Sequence, residues 1–536
     1  MMKNYLLILS LLALAACSKS KGDNPSGDTP SISITVWDAT KWSSSKPKGE
    51  LSAGVTVSLY KSQEAFAANT QPDYTGQTGT DGVVQLNGVN PGTYYVVAKK
   101  GALGNIFNVY FEMYNSVLLG YAPDEALDNA GKFIWKDLNM DGKVDTHDQT
   151  GQPALSVQVV KDKRVDITVM IGYMNKPLTT VAEVQAELDG VYAGLSNFYQ
   201  NLVIMDGTLS DDAACGSVTS YCPLDDFTFV SGTSVFNSIW SDAYFKGIHK
   251  ATDVMWNAAG LTAASADQKD LLAQVIALRS YIYIELLTYF GDVPVSNKDV
   301  TPEFWPGVSR RTVSEVYASA MSDLSSAIPD LPATRTDGKA AITRYAAMAL
   351  AARGALQQKK YNDVLTYTSQ IIGSHAFSLA SAGYSWLTSQ NTSETIWAPA
   401  FSNIGTTASW YFSGAFGGTT LQWCPVLRYA DVLLMDAEAQ IATGHFDLAA
   451  DDINPLRARY SEAPVSFTTE TDGNTWLQAA WLTEKYRQGG RYANLLRWGT
   501  AQSVLGPGGW HPNNSRMPVP QNFLNIYPGL MQNPGY

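Results

Sequence analysis

Two groups of residues have the types and spacing to bind something. The first is Asp137, Asn139, Asp141, Gly142, Lys143, Asp145 and Asp148, close together in one short stretch. A hard Ca²⁺ ion takes about six to eight oxygens from a loop that turns sharply. Asp137, Asn139 and Asp141 offer side-chain oxygens at alternate positions, Gly142 permits the turn, Lys143 offers its carbonyl, and Asp145 fills the ninth position. Asp148 stands where an EF-hand carries a bidentate Glu, a departure that matches the dockerin-type variant. The expectation is a structural Ca²⁺ brace, without His147, because the ion prefers oxygen. The competing reading is a polar turn that holds no ion.

The second group lies in two long non-helical stretches, Met205 to Phe229 and Asn403 to Gly418. Sugar rings have apolar CH faces and polar rims, so a glycan binder offers aromatic platforms beside carboxylates, amides and guanidinium groups. Trp410 and Tyr411, in a Gly/Ser/Thr context, are candidate platforms, and Asp211, Asp212 and Tyr221 are candidate partners. The alternative for the three latter is loop capping and solvated charge. Trp240, Trp256, Trp386, Trp397 and Trp498 fall in apolar-periodic segments and are read as core. A glycosidase needs two carboxylates about 5–9 Å apart, and Asp211 with Asp212, or Asp225 with Asp226, are chain neighbours. No Walker loop, zincin motif or nucleophile elbow is present. Either carboxylate pair could still meet a distant partner in the fold, but the expectation is a binder and not an enzyme.

The chain has 536 residues and a formal net charge of −12, with only 16% charged residues and 11% aromatics. So apolar a chain can bury a large core. Its acidic balance argues against nucleic acid, whose affinity comes from cationic side chains. Met1 to Asn4 is a short basic start, Tyr5 to Leu14 is apolar, and Ala15-Ala16-Cys17 closes the run. Residues 1–17 thus read as a lipoprotein-type signal peptide with Cys17 as the lipid-bearing thiol. Residues 18–30 read as a flexible tether. Cys215 and Cys222 could close a small disulfide loop or stay free, and Cys424 reads as a buried thiol.

The elements that must position these groups differ along the chain. Over residues 31–174, alternating Ile32, Ile34, Val36 and Val55, Val57, Leu59, with Asp81-Gly82 and Pro91-Gly92 turns, predict a small all-β antiparallel sandwich. Val55 to Lys100 resembles the transthyretin-like or carboxypeptidase-regulatory-like modules. From 175 to 536 the period is helical. Thr312 and Glu315 make a capping box. Ala340–Gln357 with Tyr361–Ile372, and Arg428–Thr443 with Phe446–Tyr460, predict two helical hairpins of tetratricopeptide type.

Several short motifs recur here in a familiar order. Tyr289-Phe290-Gly291-Asp292-Val293-Pro294 follows a helix; Arg428-Tyr429-Ala430-Asp431 and Leu456-Arg457-Ala458-Arg459 come later; Gln532-Asn533-Pro534-Gly535-Tyr536 ends the chain. Together these resemble the SusD-like (RagB/SusD) outer-membrane lipoproteins. That resemblance implies a mainly α-helical scaffold that binds a glycan at the cell surface, anchored in the outer membrane by lipid. It also implies delivery to a SusC-like TonB-dependent transporter. Some members take peptide, which is the alternative ligand, and a structural adhesin is a third reading. Two departures stand out. Thr483 to Tyr492 replaces a longer helix of the family, and the β-sandwich is not part of the common pattern.

Overall fold

The computed structural model describes residues 30–38, 41, 46, 49–62, 71–101, 103–105, 109–110, 134–136, 149–151, 155–161, 163–173, 178, 180–215, 219–258, 265–295, 310–336, 338–380, 392–399, 426–485, 488–526 and 530–536. They fall into a β-rich unit and a helical unit.

In the β unit, β1 (Ser31–Asp38), β2 (Glu50–Leu51), β3 (Thr56–Tyr60), β4 (Tyr74–Gln77), β5 (Val83–Asn87), β6 (Gly92–Lys100) and β7 (Leu103–Gly104) follow one another in the chain. The alternation places one side chain in two inward. Ile32, Ile34, Val36, Val55, Val57, Leu59, Val89, Val96 and Ala98 are fully buried in one cluster. Thr78 ties two turns together, donating to the Ser52 carbonyl (2.6 Å) and accepting from the Val55 amide (2.9 Å). Three short strands, β8 (Val109–Tyr110), β9 (Ile134–Lys136) and β10 (Gln149–Gly151), pair with one another and group with the helical unit, and β11 (Leu155–Val159) and β12 (Arg164–Tyr173) return to the β unit. The expected all-antiparallel pairing needs correcting. β1 pairs with β12 in parallel, Ser31 opposite Arg164 through Asp38 opposite Ile171. A parallel pair needs a long crossover, and here the other strands of the unit supply it.

The helical unit opens with α1 (Val181–Thr208), whose Thr180 and Glu183 form a reciprocal capping box. α2 (Ser234–Ser241) runs on through a π-helical stretch, Asp242–Ile248, into α3 (His249–Asn257). A Cβ at Gly194 of α1 would stand 2.5 Å from the Lys246 Cβ, so glycine lets α1 approach the π stretch closely. α4 (Ala266–Phe290) is long and apolar enough to cross a membrane, but 78% of its most apolar window is buried in the protein. α5 (Val313–Ala327) begins at the expected Thr312–Glu315 box. The first expected hairpin is α6 (Arg344–Gln357) with α7 (Tyr361–Gly373), and the second is α8 (Tyr429–Ala442) with α9 (Phe446–Arg459). α10 (Glu470–Lys485) and α11 (Arg491–Trp498) complete the set used below. Trp240 and Trp397 are fully buried, as the periodicity predicts, while Trp498 is half-buried. Trp240 meets Phe290 and Phe523 edge-to-face, with centroids 5.6 and 5.1 Å apart.

Between α8 and α9, Asp452 hydrogen-bonds Asp436, which also accepts from Thr368 and Gln440. Burial, and then the neighbouring Asp436, push the Asp452 carboxyl up to about 9. Because this folded value lies above the unfolded one of about 3.9, the proton is a stabilising ligand. Its contribution is complete below about pH 4 and disappears as pH rises through the folded pKa. Asp452→Asn keeps a neutral hydrogen-bonding side chain at all pH values. The melting temperature of Asp452→Asn relative to wild type should therefore climb between pH 5 and pH 9. A constant offset in thermal melts across that range would show that Asp452 does not carry the proton.

Candidate functional site

The end of α1 places the acidic candidates. Asp206, in the last turn of α1, is fully buried. It accepts from the Tyr289 hydroxyl (2.7 Å) and from the amides of Tyr492 (3.3 Å) and Ala493 (3.2 Å). Those amides are orphan donors in the first turn of α11, so a carboxylate of α1 caps another helix. Burial raises the Asp206 pKa, and these hydrogen bonds oppose the rise. Gly489 (φ 80°) and Gly490 (φ 92°) make the left-handed turn that brings α11 into place.

Past α1 the chain makes a loop, and Asp211, Asp212 and Tyr221 all lie on it. Asp211 takes a bidentate pair of bonds from Arg491 (2.7 and 2.8 Å), which hold its carboxyl below the usual range. Its side chain is 39% exposed. Asp212 and Tyr221 are buried, and burial pushes the Tyr221 phenol up. Cys215 and Cys222 form a disulfide, and the Cys215 amide donates to Asp225 (3.0 Å). Of the three described candidates, Asp211 is the one that offers a charged group to solvent.

Trp410, Tyr411 and Cys17 lie outside the described residues, as do Asp137, Asn139, Asp141, Lys143, Asp145 and Asp148. The strands that flank the latter group are described. β9 and β10 pair antiparallel, with Lys136 opposite Gln149. Among the described residues no cluster of His, Cys, Asp and Glu has a metal-binding arrangement.

Sequence reasoning missed the charges inside the helical unit. Arg428 donates to Glu394 (2.7 Å) and to the Glu484 carbonyl (2.7 Å). Arg459 pairs with Glu394 (3.0 Å) and Glu484 (3.2 Å), and all four side chains are at most 6% exposed. Beside them Lys485 meets Asp431 (3.0 Å), Arg353 meets Glu285 (3.1 Å) and Arg497 meets Glu438 (2.7 Å). Glu285, Arg353, Asp431, Lys485 and Arg497 line a cavity of about 690 Å³, part of it open to solvent. The closing Gln-Asn-Pro-Gly-Tyr motif acts as a latch. Asn533 donates to the carbonyls of Phe290 (2.8 Å) and Met517 (2.6 Å), and Tyr536 stacks on Phe229 at 5.7 Å.

Two family models match parts of the helical unit. A family model described as "SusD family" matches residues 388–514, and one described as "Starch-binding associating with outer membrane" matches 173–356. Over these two stretches the helical unit is similar to SusD-type proteins. The first match contains Glu394, Arg428, Asp431, Arg459, Glu484 and Lys485, and the second contains Asp206, Glu285 and Arg353. Among solved structures, a SusD superfamily protein from Bacteroides vulgatus is similar with TM-score 0.60 and 16% identity, covering 67% of this chain and 100% of that one. A laminarin-binding SusD-like protein is similar with TM-score 0.57 and 20% identity, over 67% and 100%. Surface glycan-binding protein A from Bacteroides fluxus follows with TM-score 0.56 and 20% identity, over 67% and 100%. No curated protein matches the chain.

Within this SusD fold Asp206 joins α1, α4 and α11 at one carboxylate that meets only donors. In Asp206→Asn the amide would turn N–H toward N–H, leaving a buried donor unpaired. The variant should lose about 2 kcal/mol or more of stability, read as a lower urea midpoint with unchanged m-value. An unchanged midpoint would show that the α1–α11 junction does not depend on this carboxylate.

Proposed function

We propose that this protein is an outer-membrane lipoprotein that captures glycans at the cell surface and passes them to a SusC-like TonB-dependent transporter. The observation that carries the reading is the match of residues 173–356 to a family described as starch-binding and associated with the outer membrane. The names of two structural relatives, one binding laminarin and one a surface glycan-binding protein, support a glycan as the ligand class.

The loop after α1 suits this task. Its disulfide and the Asp211–Arg491 pair order it before ligand arrives, which lowers the entropy cost of binding. Asp211 and Arg491 offer a carboxylate acceptor and guanidinium donors for sugar hydroxyls. Trp410 and Tyr411 would supply the ring faces on which sugars stack. Lipid on Cys17 and the 18–30 tether would hold the binder at the membrane. Asp137, Asn139, Asp141, Asp145 and Asp148, with the Lys143 carbonyl, would hold Ca²⁺ as a structural brace. SusD-family members are binding proteins rather than enzymes, and this chain is read the same way.

The test is affinity electrophoresis of the mature chain without its lipid, through gels containing starch, laminarin or other polysaccharides, with Trp410→Ala alongside. Retardation of the wild type by at least one glycan, reduced in Trp410→Ala, is the expected result. Retardation that persists in the mutant would move the platform elsewhere. Free migration in every gel, with binding to peptide instead, would overturn the glycan reading.

A further inference from the structure

Three cations lie in the segment that leads into α6, and two of them are engaged. Arg335 holds Asp270 through two guanidinium nitrogens, and Arg344 donates to the Leu331 carbonyl at 3.1 Å. Lys339 stands between them in the chain and is half-buried. Among the described residues its ammonium makes no hydrogen bond and no ion pair. Its partner is the Phe377 ring, 4.9 Å from Nζ to the centroid. Burial lowers the Lys339 pKa, and no neighbouring carboxylate opposes the shift. Unlike the unmatched polar atoms of the core, Nζ remains accessible to solvent.

The backbone that carries this lysine is anchored. The Ala398 amide donates to the Lys339 carbonyl at 2.9 Å, and Trp397 Nε1 donates to the Ala340 carbonyl at 3.0 Å. Tyr345 meets the same Phe377 ring edge-to-face, with centroids 5.6 Å apart. Three N–H donors thus sit free on an ordered support. A half-desolvated ammonium gains most from an anion that accepts these bonds, because charge-assisted hydrogen bonds are strong and partial burial weakens screening. The chain as a whole carries −12, so it has no general attraction for a polyanion. This cation therefore acts at one point, and one negative charge balances it.

We propose that Lys339 is a recognition point for one negatively charged sugar unit, its ammonium donating to a uronate carboxylate or a sulfate ester. Both groups carry a single negative charge and accept hydrogen bonds from the same donors. The proposal rests on the glycan-binding reading and narrows the ligand to an acidic glycan. It adds a residue that the loop carboxylates and the aromatic candidates do not include.

The test is affinity electrophoresis of the mature chain without its lipid. Glucuronoxylan and pectin gels present carboxylates, carrageenan gels present sulfate esters, and starch and laminarin gels are neutral. Each protein's migration is taken relative to its own in a gel without polysaccharide, which removes the variant's own change of charge. Wild type should be retarded by at least one acidic polymer, and that polymer identifies the anion. Lys339→Met keeps an unbranched stem and loses the charge. It should be retarded about five- to tenfold more weakly in that gel, the range expected for one charge-assisted hydrogen bond at a half-buried site. If Lys339→Met fails to fold, Lys339→Gln takes its place. A folded neutral variant retarded like wild type in every acidic gel, or weakened equally in a neutral gel, would overturn the acidic-sugar site. Wild type retarded by the neutral gels alone would overturn it as well, and each of these results leaves the glycan reading intact. Wild type that runs freely in every gel would overturn both.

Discussion

Two arginines and two glutamates enclosed in protein constrain everything around them. Arg428, Arg459, Glu394 and Glu484 come from four places in the chain, and each side chain is nearly inaccessible to water. Removing a charge from water costs several kcal/mol or more, recovered only with close partners of good geometry. The four groups must therefore arrive together. β13 (Thr395–Trp397) must pair with β14 (Leu427–Arg428), and the ends of α9 and α10 must converge on the same point.

The neighbouring contacts follow from that fixed point. The Arg428 amide donates to Asp431 (2.7 Å) at the start of α8, and Asp431 pairs with Lys485 next to Glu484. Burial raises the Asp431 pKa, but Lys485, Arg428 and Arg353 together bring it below its ordinary value. From Lys485 the chain passes to the Gly489-Gly490 turn and into α11, whose first turn Asp206 caps. Arg491 then reaches Asp211 on the loop beyond α1. Polar contacts and a short stretch of chain thus link the interior cluster to the rim where ligand is proposed to bind. That rim rests on a rigid scaffold, as selective recognition requires.

The helices were legible because they bury apolar faces at helical spacing and carry local start signals. Thr312 with Glu315 needs only a four-residue window to be read, and the structure shows that box. The hairpin turns at Lys359 (φ 56°) and Gly444 (φ 83°) fell where the apolar period broke. Long-range pairing was not legible. Nothing local in Ser31–Asp38 says that its neighbour is Arg164–Tyr173, or that the pair is parallel. The buried charges were hidden for the same reason. Arg428, Arg459 and Glu484 look like surface residues until the fold brings them together, although the resemblance had marked two of the segments that carry them. Of the site candidates, the Asp211 carboxylate sits at an exposed rim. Asp212 and Tyr221 turned inward, because the disulfide and the end of α1 fold the loop back on the core.

The account makes the binder a rigid presenter of ligand groups, with rigidity coming from charges that stabilise one another inside the fold. A double-mutant cycle on Arg428→Met and Glu394→Gln, with stability read by urea denaturation, tests this most directly. If the two side chains depend on each other as the geometry requires, each single mutant is strongly destabilised. The double mutant then loses less than the sum, by a coupling energy of about 1.5–3 kcal/mol. Additivity to within about 0.5 kcal/mol would mean that the cluster does not hold the scaffold together.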